Sequence, residues 1–231
     1  MKFSNGGQYF AAVNAVTQNN QYIQVFSTYT GESPKYLTLK GHSGKVKSII
    51  WSKDDQYLLT AGTDGICYIW RLSDGARIGD YNARVPLSCA TLMGDNKTIY
   101  AVGKDKYLRK VGDPIELYDA KAMFGQITVT NSNKVVFAGA ADENVTSGYI
   151  RCYKMPVLSA PAGEYQAHDT QGVEVMKVTH DDQYLVTSGK DGILCLFEIK
   201  DKEGIKLLKN VNLEIYSTWN ENERWICKFR Q

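Results

Sequence analysis

Short runs of alternating apolar and polar residues, separated by turn residues, fill the first 208 positions of the chain. The clearest series predicts strands at about 46–51, 57–62, 66–71 and 77–81. Asp64-Gly65 and Asp74-Gly75 lie between these strands, and Asp-Gly pairs favour tight hairpins because glycine accepts a positive φ. Helical periodicity is absent from this series, so the pattern predicts an all-β fold.

The pattern also repeats. The run Asp54-Asp55-Gln56-Tyr57-Leu58 returns as Asp181-Asp182-Gln183-Tyr184-Leu185, about 127 residues later. Three periods of about 42 residues fit that separation, which is typical of β-propeller blades of four short antiparallel strands. Five blades are predicted: a truncated one from Met1, with strands at 8–13, 22–27 and 35–39, and four at 41–83, 84–120, 121–166 and 167–208.

The charge of the chain disfavours two classes of partner. Lys and Arg number 27 against 25 Asp and Glu, for a formal net charge of +2. This balance attracts neither nucleic acid nor an anionic membrane surface. The longest apolar runs, such as 135–141, fall far short of the roughly 18 residues of a membrane-spanning helix. Five cysteines without a CxxC pair are interpreted as buried free thiols in a reducing compartment.

Sequence motifs for catalysis or for cofactor and metal binding are missing. The chain has no GxxxxGK[ST], HExxH or GxSxG run and no zinc-type spacing of Cys and His. The carboxylate pairs Asp54-Asp55 and Asp181-Asp182 lie in predicted hairpin turns, where Asp commonly bonds the local backbone. We therefore predict a chain that is not an enzyme and has no cofactor or metal site.

One blade carries residues that resemble a WD40 repeat. Gly41-His42 is followed by Thr60, Asp64 and Trp70-Arg71, the last standing where the WD40 family has Trp-Asp. The resemblance implies a hydrogen-bonded chain within the blade, formed by His42, Thr60, Asp64 and Trp70. The last blade supplies His168, Thr187 and Asp191, with Phe197 in place of the tryptophan. The third and fourth blades lack the histidine, and Asp105 alone is left of the motif.

A narrower resemblance includes loop residues. The runs 1–7, 10–14, 39–45, 62–65, 100–103, 164–168, 181–185 and 200–206 are similar, in the same order, to the family of cilia- and flagella-associated protein 57. The match falls on the later part of that family's second propeller. It implies a non-catalytic scaffold of the ciliary axoneme that helps to dock or regulate inner dynein arms on doublet microtubules. The implied partners are axonemal proteins, inner dynein arm components and tubulin.

Two other functions are compatible with the pattern. A soluble WD40 adaptor would act in signalling, trafficking or substrate recruitment to a ubiquitin ligase, and a propeller hydrolase is the third hypothesis.

Two groups of basic residues either suit an acidic tubulin surface or are solvated turn charges. They are Lys40, Lys45 and Lys47, and Lys104, Lys106, Arg109 and Lys110.

The length predicts an open ring. A seven-bladed ring needs roughly 294 residues at about 42 per blade, so 231 residues cannot close one. We expect either a fragment of a larger gene product or a ring that another chain completes. Residues 1–208 are assigned to the partial propeller. The tail, 209–231, is predicted to add one or two strands that cover a blade edge or dock on a partner through Trp219, Trp225 and Phe229; a poorly ordered terminus is the alternative.

Overall fold

Twenty strands account for nearly all the regular structure in the computed structural model of the chain. It describes residues 1–17, 20–112, 116–118, 123–140, 148–157, 160–168, 172–200 and 204–212. The elements are β1 (Lys2–Phe3), β2 (Tyr9–Thr17), β3 (Asn20–Ser27), a 3-10 turn (Lys35–Leu37), β4 (Thr38–Lys40), β5 (Val46–Trp51), β6 (Tyr57–Gly62), β7 (Ile66–Arg71), β8 (Arg77–Asn82), β9 (Leu87–Leu92), β10 (Ile99–Gly103), β11 (Tyr107–Lys110), β12 (Glu116–Tyr118), β13 (Phe124–Val129), β14 (Val135–Ala140), β15 (Gly148–Lys154), β16 (Gly163–His168), β17 (Val173–Val178), β18 (Tyr184–Gly189), β19 (Ile193–Lys200) and β20 (Gly204–Asn212).

The strands form five four-stranded antiparallel sheets, each made of four consecutive strands. We call them blades one to five in chain order. The first strands of successive blades touch, β5 with β9, β9 with β13 and β13 with β17. These contacts are typical of the inner strands of a propeller. The all-β propeller with five visible blades is thus confirmed, and the described residues contain no closed ring of sheets.

The structure matches the predicted strands of blade two and differs in blade one. Strands β5, β6 and β7 have the predicted bounds. Blade one has four strands rather than three, because Lys2–Phe3 pairs with β2 as a two-residue inner strand. The predicted strand 35–39 is wrong in its first half: a 3-10 turn follows Pro34, and the strand begins only at Thr38. The last strand, β20, continues past residue 208 to Asn212.

Four hydrophobic clusters lie between the five blades, each joining one blade to the next. The cluster between blades one and two includes Ile23, Leu39 and Leu58, all at most 1% exposed. Phe137 and Phe197 lie in the cluster between blades four and five. Burying the facing sides of successive sheets is how each blade gains its stabilisation from its neighbours.

The other face of blade one carries a ladder of aromatic side chains. Phe3, Phe10 and Phe26 are cross-strand neighbours, with ring centroids 5.8 Å apart for the first pair and 4.9 Å for the second. They alternate with Ala11 and Val25, which point into the cluster with blade two. Phe3 is 56% exposed.

In the part of the chain that the structure describes, no helix is long and apolar enough to cross a membrane.

Candidate functional site

In blade two, four predicted residues form one buried hydrogen-bonded chain. The indole N–H of Trp70 donates to Oγ1 of Thr60 at 3.0 Å. Nε2 of His42 lies 2.9 Å from the same Oγ1, and Nδ1 of His42 lies 2.9 Å from Oδ2 of Asp64. Each polar side-chain group of this chain has a partner when the proton of the His42 ring is on Nδ1. The hydroxyl of Thr60 then donates to Nε2 of His42, and Nδ1–H of His42 donates to the carboxylate of Asp64. The chain links strands β6 and β7 and the turn between them to the loop that connects β4 with β5.

The position of Asp64 in the β6–β7 turn gives its carboxylate further backbone donors. Oδ2 accepts from the N–H of Ser43 at 3.0 Å, and Oδ1 accepts from the N–H of Ile66 at 3.3 Å. Partial burial, the largest single influence, raises the pKa of Asp64, but the interactions with His42 and the backbone outweigh it and the pKa is lowered. The carboxylate is therefore ionised at neutral pH and holds the turn closed.

The last repeat has the same arrangement, one member shorter. Nδ1 of His168 lies 3.0 Å from Oδ2 of Asp191, and Nε2 lies 3.0 Å from Oγ1 of Thr187. Phe197, which is 1% exposed, fills the place of the tryptophan and has no N–H to donate. His168 ends blade four, whereas Thr187 and Asp191 belong to blade five. This chain therefore ties two blades together.

Blade three uses an ion pair in place of the missing histidine. The guanidinium of Arg109 donates to both carboxylate oxygens of Asp105, at 3.2 Å and 2.5 Å, and the arginine is 4% exposed. A bidentate pair of this kind satisfies both charges at a buried site. Arg109 was expected in an exposed basic group with its neighbours, and that expectation is wrong because its guanidinium is turned into the blade.

A set of contacts between blades escaped the sequence analysis. Each joins the turns that connect the first and second strands of neighbouring blades, and we call these contacts the inter-blade joints. The carboxylate of Asp55 accepts from the backbone N–H groups of Asn5 and Gly6, at 2.9 Å and 2.7 Å. In return, the side-chain amide of Asn5 donates to the carbonyl of Ser52 at 2.8 Å. Blades one and two are thereby bonded at their first turns.

The same joint recurs between blades four and five. The carboxylate of Asp182 accepts from the N–H groups of Asn131 and Ser132, at 2.5 Å and 2.6 Å. The side-chain amide of Asn131 donates to the carbonyl of Thr179 at 3.1 Å, as that of Asn5 does to Ser52. Asp55 and Asp182 have φ of 53° and 59°. Asp tolerates this left-handed backbone better than most residues.

Asparagine takes this role between blades three and four. Asn133, with φ of 57°, accepts from the N–H of Gly94 at 3.1 Å. The signal available in the sequence was the second residue of each repeated Asp-Asp pair. Only the first residue of each pair, Asp54 and Asp181, bonds its own turn, through the N–H of Gln56 and of Gln183. The second residue reaches the preceding blade, and Asp54 also accepts from the side-chain amide of Asn96 in blade three at 3.2 Å.

The joint at Asp182 predicts an acid-sensitive stability. Partial burial is the largest influence and raises the pKa of Asp182, but the hydrogen bonds from Ser132 and Asn131 outweigh it, so the pKa is lowered in the folded chain. A lowered pKa stabilises the fold above the unfolded value of about 3.9, and the gain is lost as the pH falls through the folded value. We expect Asp182→Asn to cost about 1 kcal/mol at pH 7, because one amide oxygen replaces two acceptors.

The measurement is urea unfolding of both proteins from pH 7 to pH 3. The difference in the free energy of unfolding should shrink below about pH 4, where Asp182 of the unfolded parent takes up a proton while the folded carboxylate stays ionised to lower pH. Asp80→Asn is the control, because that exposed carboxylate lies 3.8 Å from Arg77 and makes no joint. A difference for Asp182→Asn that stays constant over this pH range would contradict the assignment.

The buried thiols lack the chemistry of nucleophiles. Burial raises the pKa of Cys67 to about 12 and that of Cys152 to about 11, so both are protonated at neutral pH. Cys195 is also buried, and none of the four cysteines of the described residues forms a disulfide bond. Within the same residues, no group of three or more His, Cys, Asp or Glu side chains is placed to hold a metal ion. Trp219, Trp225 and Phe229 lie outside the described residues.

Comparison with known proteins agrees with the repeat pattern. The family model for the WD domain, G-beta repeat, matches residues 34–71 and 159–198. Cilia- and flagella-associated protein 57 C of Tetrahymena thermophila is 44% identical over 96% of the chain, and cilia- and flagella-associated protein 57 of Mus musculus is 39% identical over 87%. The chain spans only 18% and 16% of the length of these two relatives.

A solved structure supports the fold. The β-propeller domain of Cps50 (Swd1) from Myceliophteria thermophila superposes with a TM-score of 0.76, at 20% identity, over 91% of this chain and 70% of that domain. Together with the family match and the five antiparallel sheets, this likeness identifies the architecture. The chain carries WD40 repeats in a β-propeller fold, and it belongs to the family of cilia- and flagella-associated protein 57.

Proposed function

We propose that the chain is part of a non-catalytic WD40 scaffold of the cilium, which helps to dock or regulate inner dynein arms and neighbouring complexes on doublet microtubules. The observation that carries the proposal is the 44% identity, over 96% of the chain, to a cilia- and flagella-associated protein. The proposal gives the protein a location in the axoneme. Its proposed partners are dynein components, tubulin and a chain that completes the propeller.

The geometry suits docking. The hydrogen-bonded chains, the Asp105–Arg109 pair and the inter-blade joints all tie turns and strands together, so the blades present loops at fixed positions. A preformed surface loses little conformational entropy on binding. The loop between β3 and β4 bears Tyr29 and Tyr36, which are 82% and 53% exposed. Because tyrosine is enriched in protein interfaces, we assign this loop a contact role; Trp219, Trp225 and Phe229 remain further candidates.

Fractionation of isolated cilia tests the location. We expect the tagged protein to stay with the axoneme after detergent removes the membrane and matrix, and to leave it only when salt extracts dynein-associated complexes. A protein found in the detergent-soluble fraction or in the cell body would contradict the scaffold proposal. It would favour the soluble adaptor in signalling, trafficking or ubiquitin-ligase recruitment.

The tyrosine loop gives a sharper prediction for the same assay. Tyr29→Ser with Tyr36→Ser should lower the axoneme-bound fraction several-fold, because two exposed aromatic side chains that bury area in an interface are lost. The melting temperature should not change, since neither ring is buried. Lys35→Gln, in the same loop, is the matched control and should stay bound. Full retention of the double variant would exclude this loop as a contact.

A further inference from the structure

The inner strands of the blades line an open cavity near the axis of the propeller. Its volume is about 310 Å³, and its lining residues are Met1 and residues from the first strand of every blade and from β2. We call it the axial cavity and define it by Lys2 of β1, Lys47 and Ser48 of β5, Gln126 of β13 and Lys177 of β17. The cavity is a meeting point of all five blades, so its lining is set by the fold as a whole.

Positive charge is concentrated in this cavity. Lys2, Lys47 and Lys177 approach it from blades one, two and five, and among the described lining residues there is no aspartate or glutamate. Gln126 and Ser48 add neutral polar groups. Three ammonium groups that share a cavity without an acidic partner repel one another. Lys47 and Lys177 are exposed and Lys2 is half-buried, so solvent screens part of this repulsion, and an anion in the cavity would relieve the rest.

The position of Lys2 is fixed by the fold. Its carbonyl accepts a hydrogen bond from the indole N–H of Trp51 at 3.1 Å, which anchors β1 to β5. Burial, and then the positive charge of Lys177, lower the pKa of Lys2 to about 8. Lys2 and Lys177 therefore lie close enough to sense each other's charge, although they belong to the first and the last blade.

We propose that the axial cavity binds a small multivalent phosphate anion, held between Lys2, Lys47 and Lys177. Lysine is a common phosphate ligand, and its ammonium group acts as a point charge with three donors. The volume of about 310 Å³ suits a molecule of several non-hydrogen atoms and is at the small end of ligand pockets. A multivalent anion can contact several ammonium groups at once, which a chloride ion cannot.

Calorimetric titration of the purified protein with inorganic pyrophosphate, at constant ionic strength, tests the proposal. We expect one site per chain and about tenfold weaker binding for Lys177→Gln and for Lys2→Gln, since each loses one charged contact. Lys35→Gln removes an equal charge from the exposed β3–β4 loop and should bind as the parent does. A parallel titration with inositol hexakisphosphate distinguishes a phosphate ester from inorganic phosphate as the preferred source.

A second readout keeps the test independent of the variants' folding. Lys2, with its lowered pKa, should react with an acetylating reagent at pH 8 faster than exposed lysines do, and pyrophosphate should protect Lys2 and Lys177 from the reagent while Lys35 stays reactive. Absence of binding at millimolar pyrophosphate would overturn the proposal. Equal losses for Lys35→Gln and Lys177→Gln, or protection of all three lysines alike, would also overturn it, because binding would then follow net charge alone.

Discussion

Thr60→Val should lower the free energy of unfolding by about 2–4 kcal/mol, because the substitution removes two buried hydrogen bonds while keeping the shape of the side chain. Thr60 is 0% exposed and its hydroxyl bridges Nε2 of His42 and the indole N–H of Trp70. Valine leaves both groups buried without a partner, and each then carries its full desolvation penalty. Urea unfolding, followed by tryptophan fluorescence and far-ultraviolet circular dichroism, measures the change.

The last repeat supplies the matched control. Thr187→Val makes the same substitution at a residue that is 1% exposed, but Thr187 bonds only Nε2 of His168 because Phe197 has no N–H. We expect about half the loss seen for Thr60→Val. Equal losses at the two positions would mean that the tryptophan bond contributes nothing. A loss below about 0.5 kcal/mol for Thr60→Val would contradict the buried chain altogether.

Phe137→Ala is expected to have the largest effect of all, about 3–5 kcal/mol. Phe137 is 0% exposed and lies in the cluster that joins blades four and five, together with Phe197, Leu185 and Ile150. Removing the ring takes away buried apolar area and leaves a cavity between two sheets. The hydrogen-bonded backbones of these sheets cannot move far enough to fill it. The same urea titration gives the free energy.

Phe3→Ala is the corresponding control on an open face. Phe3 is 56% exposed and contacts Phe10 at 5.8 Å between ring centroids, so its removal should cost less than about 1 kcal/mol. Comparable losses for the two phenylalanine variants would contradict the placement of the core between the blades.

Blade two could be read from the sequence because local and long-range signals agree there. Its strands alternate cleanly, its Asp-Gly turns demand a positive φ, and Gly65 and Gly75 have φ of 78° and 71°. The hydrogen-bond partners of His42 could also be predicted, because a polar group buried within a blade must pair with one of the few other polar groups nearby. Blade one was harder to predict, because a two-residue strand is too short to show an alternating pattern. After Pro34, the alternation of polar and apolar residues resembles a strand, but the chain forms a 3-10 turn there.

The sequence could not give the contacts between repeats. Arg109 reads as one of several basic residues in a turn, and only the packing of blade three shows that it is buried against Asp105. The role of Asp55 depends on a turn that precedes it by about fifty residues, which no local pattern encodes. The axial cavity is lined by residues from all five blades, which lie far apart in the sequence, so no sequence motif predicts it.

Three of the inter-blade joints share a direction, and the contact between blades two and three, where the side-chain amide of Asn96 donates to Asp54 at 3.2 Å, runs the opposite way. In the joints at Asp55, Asn133 and Asp182, the backbone donors belong to the earlier blade and the accepting side chain to the later one. During synthesis from the N-terminus, the donors of these three joints therefore leave the ribosome before their acceptors. Each finished blade can act as a template on which the next one docks as it emerges. At these three joints, the earlier blade therefore offers its donors to the blade that follows it in the chain.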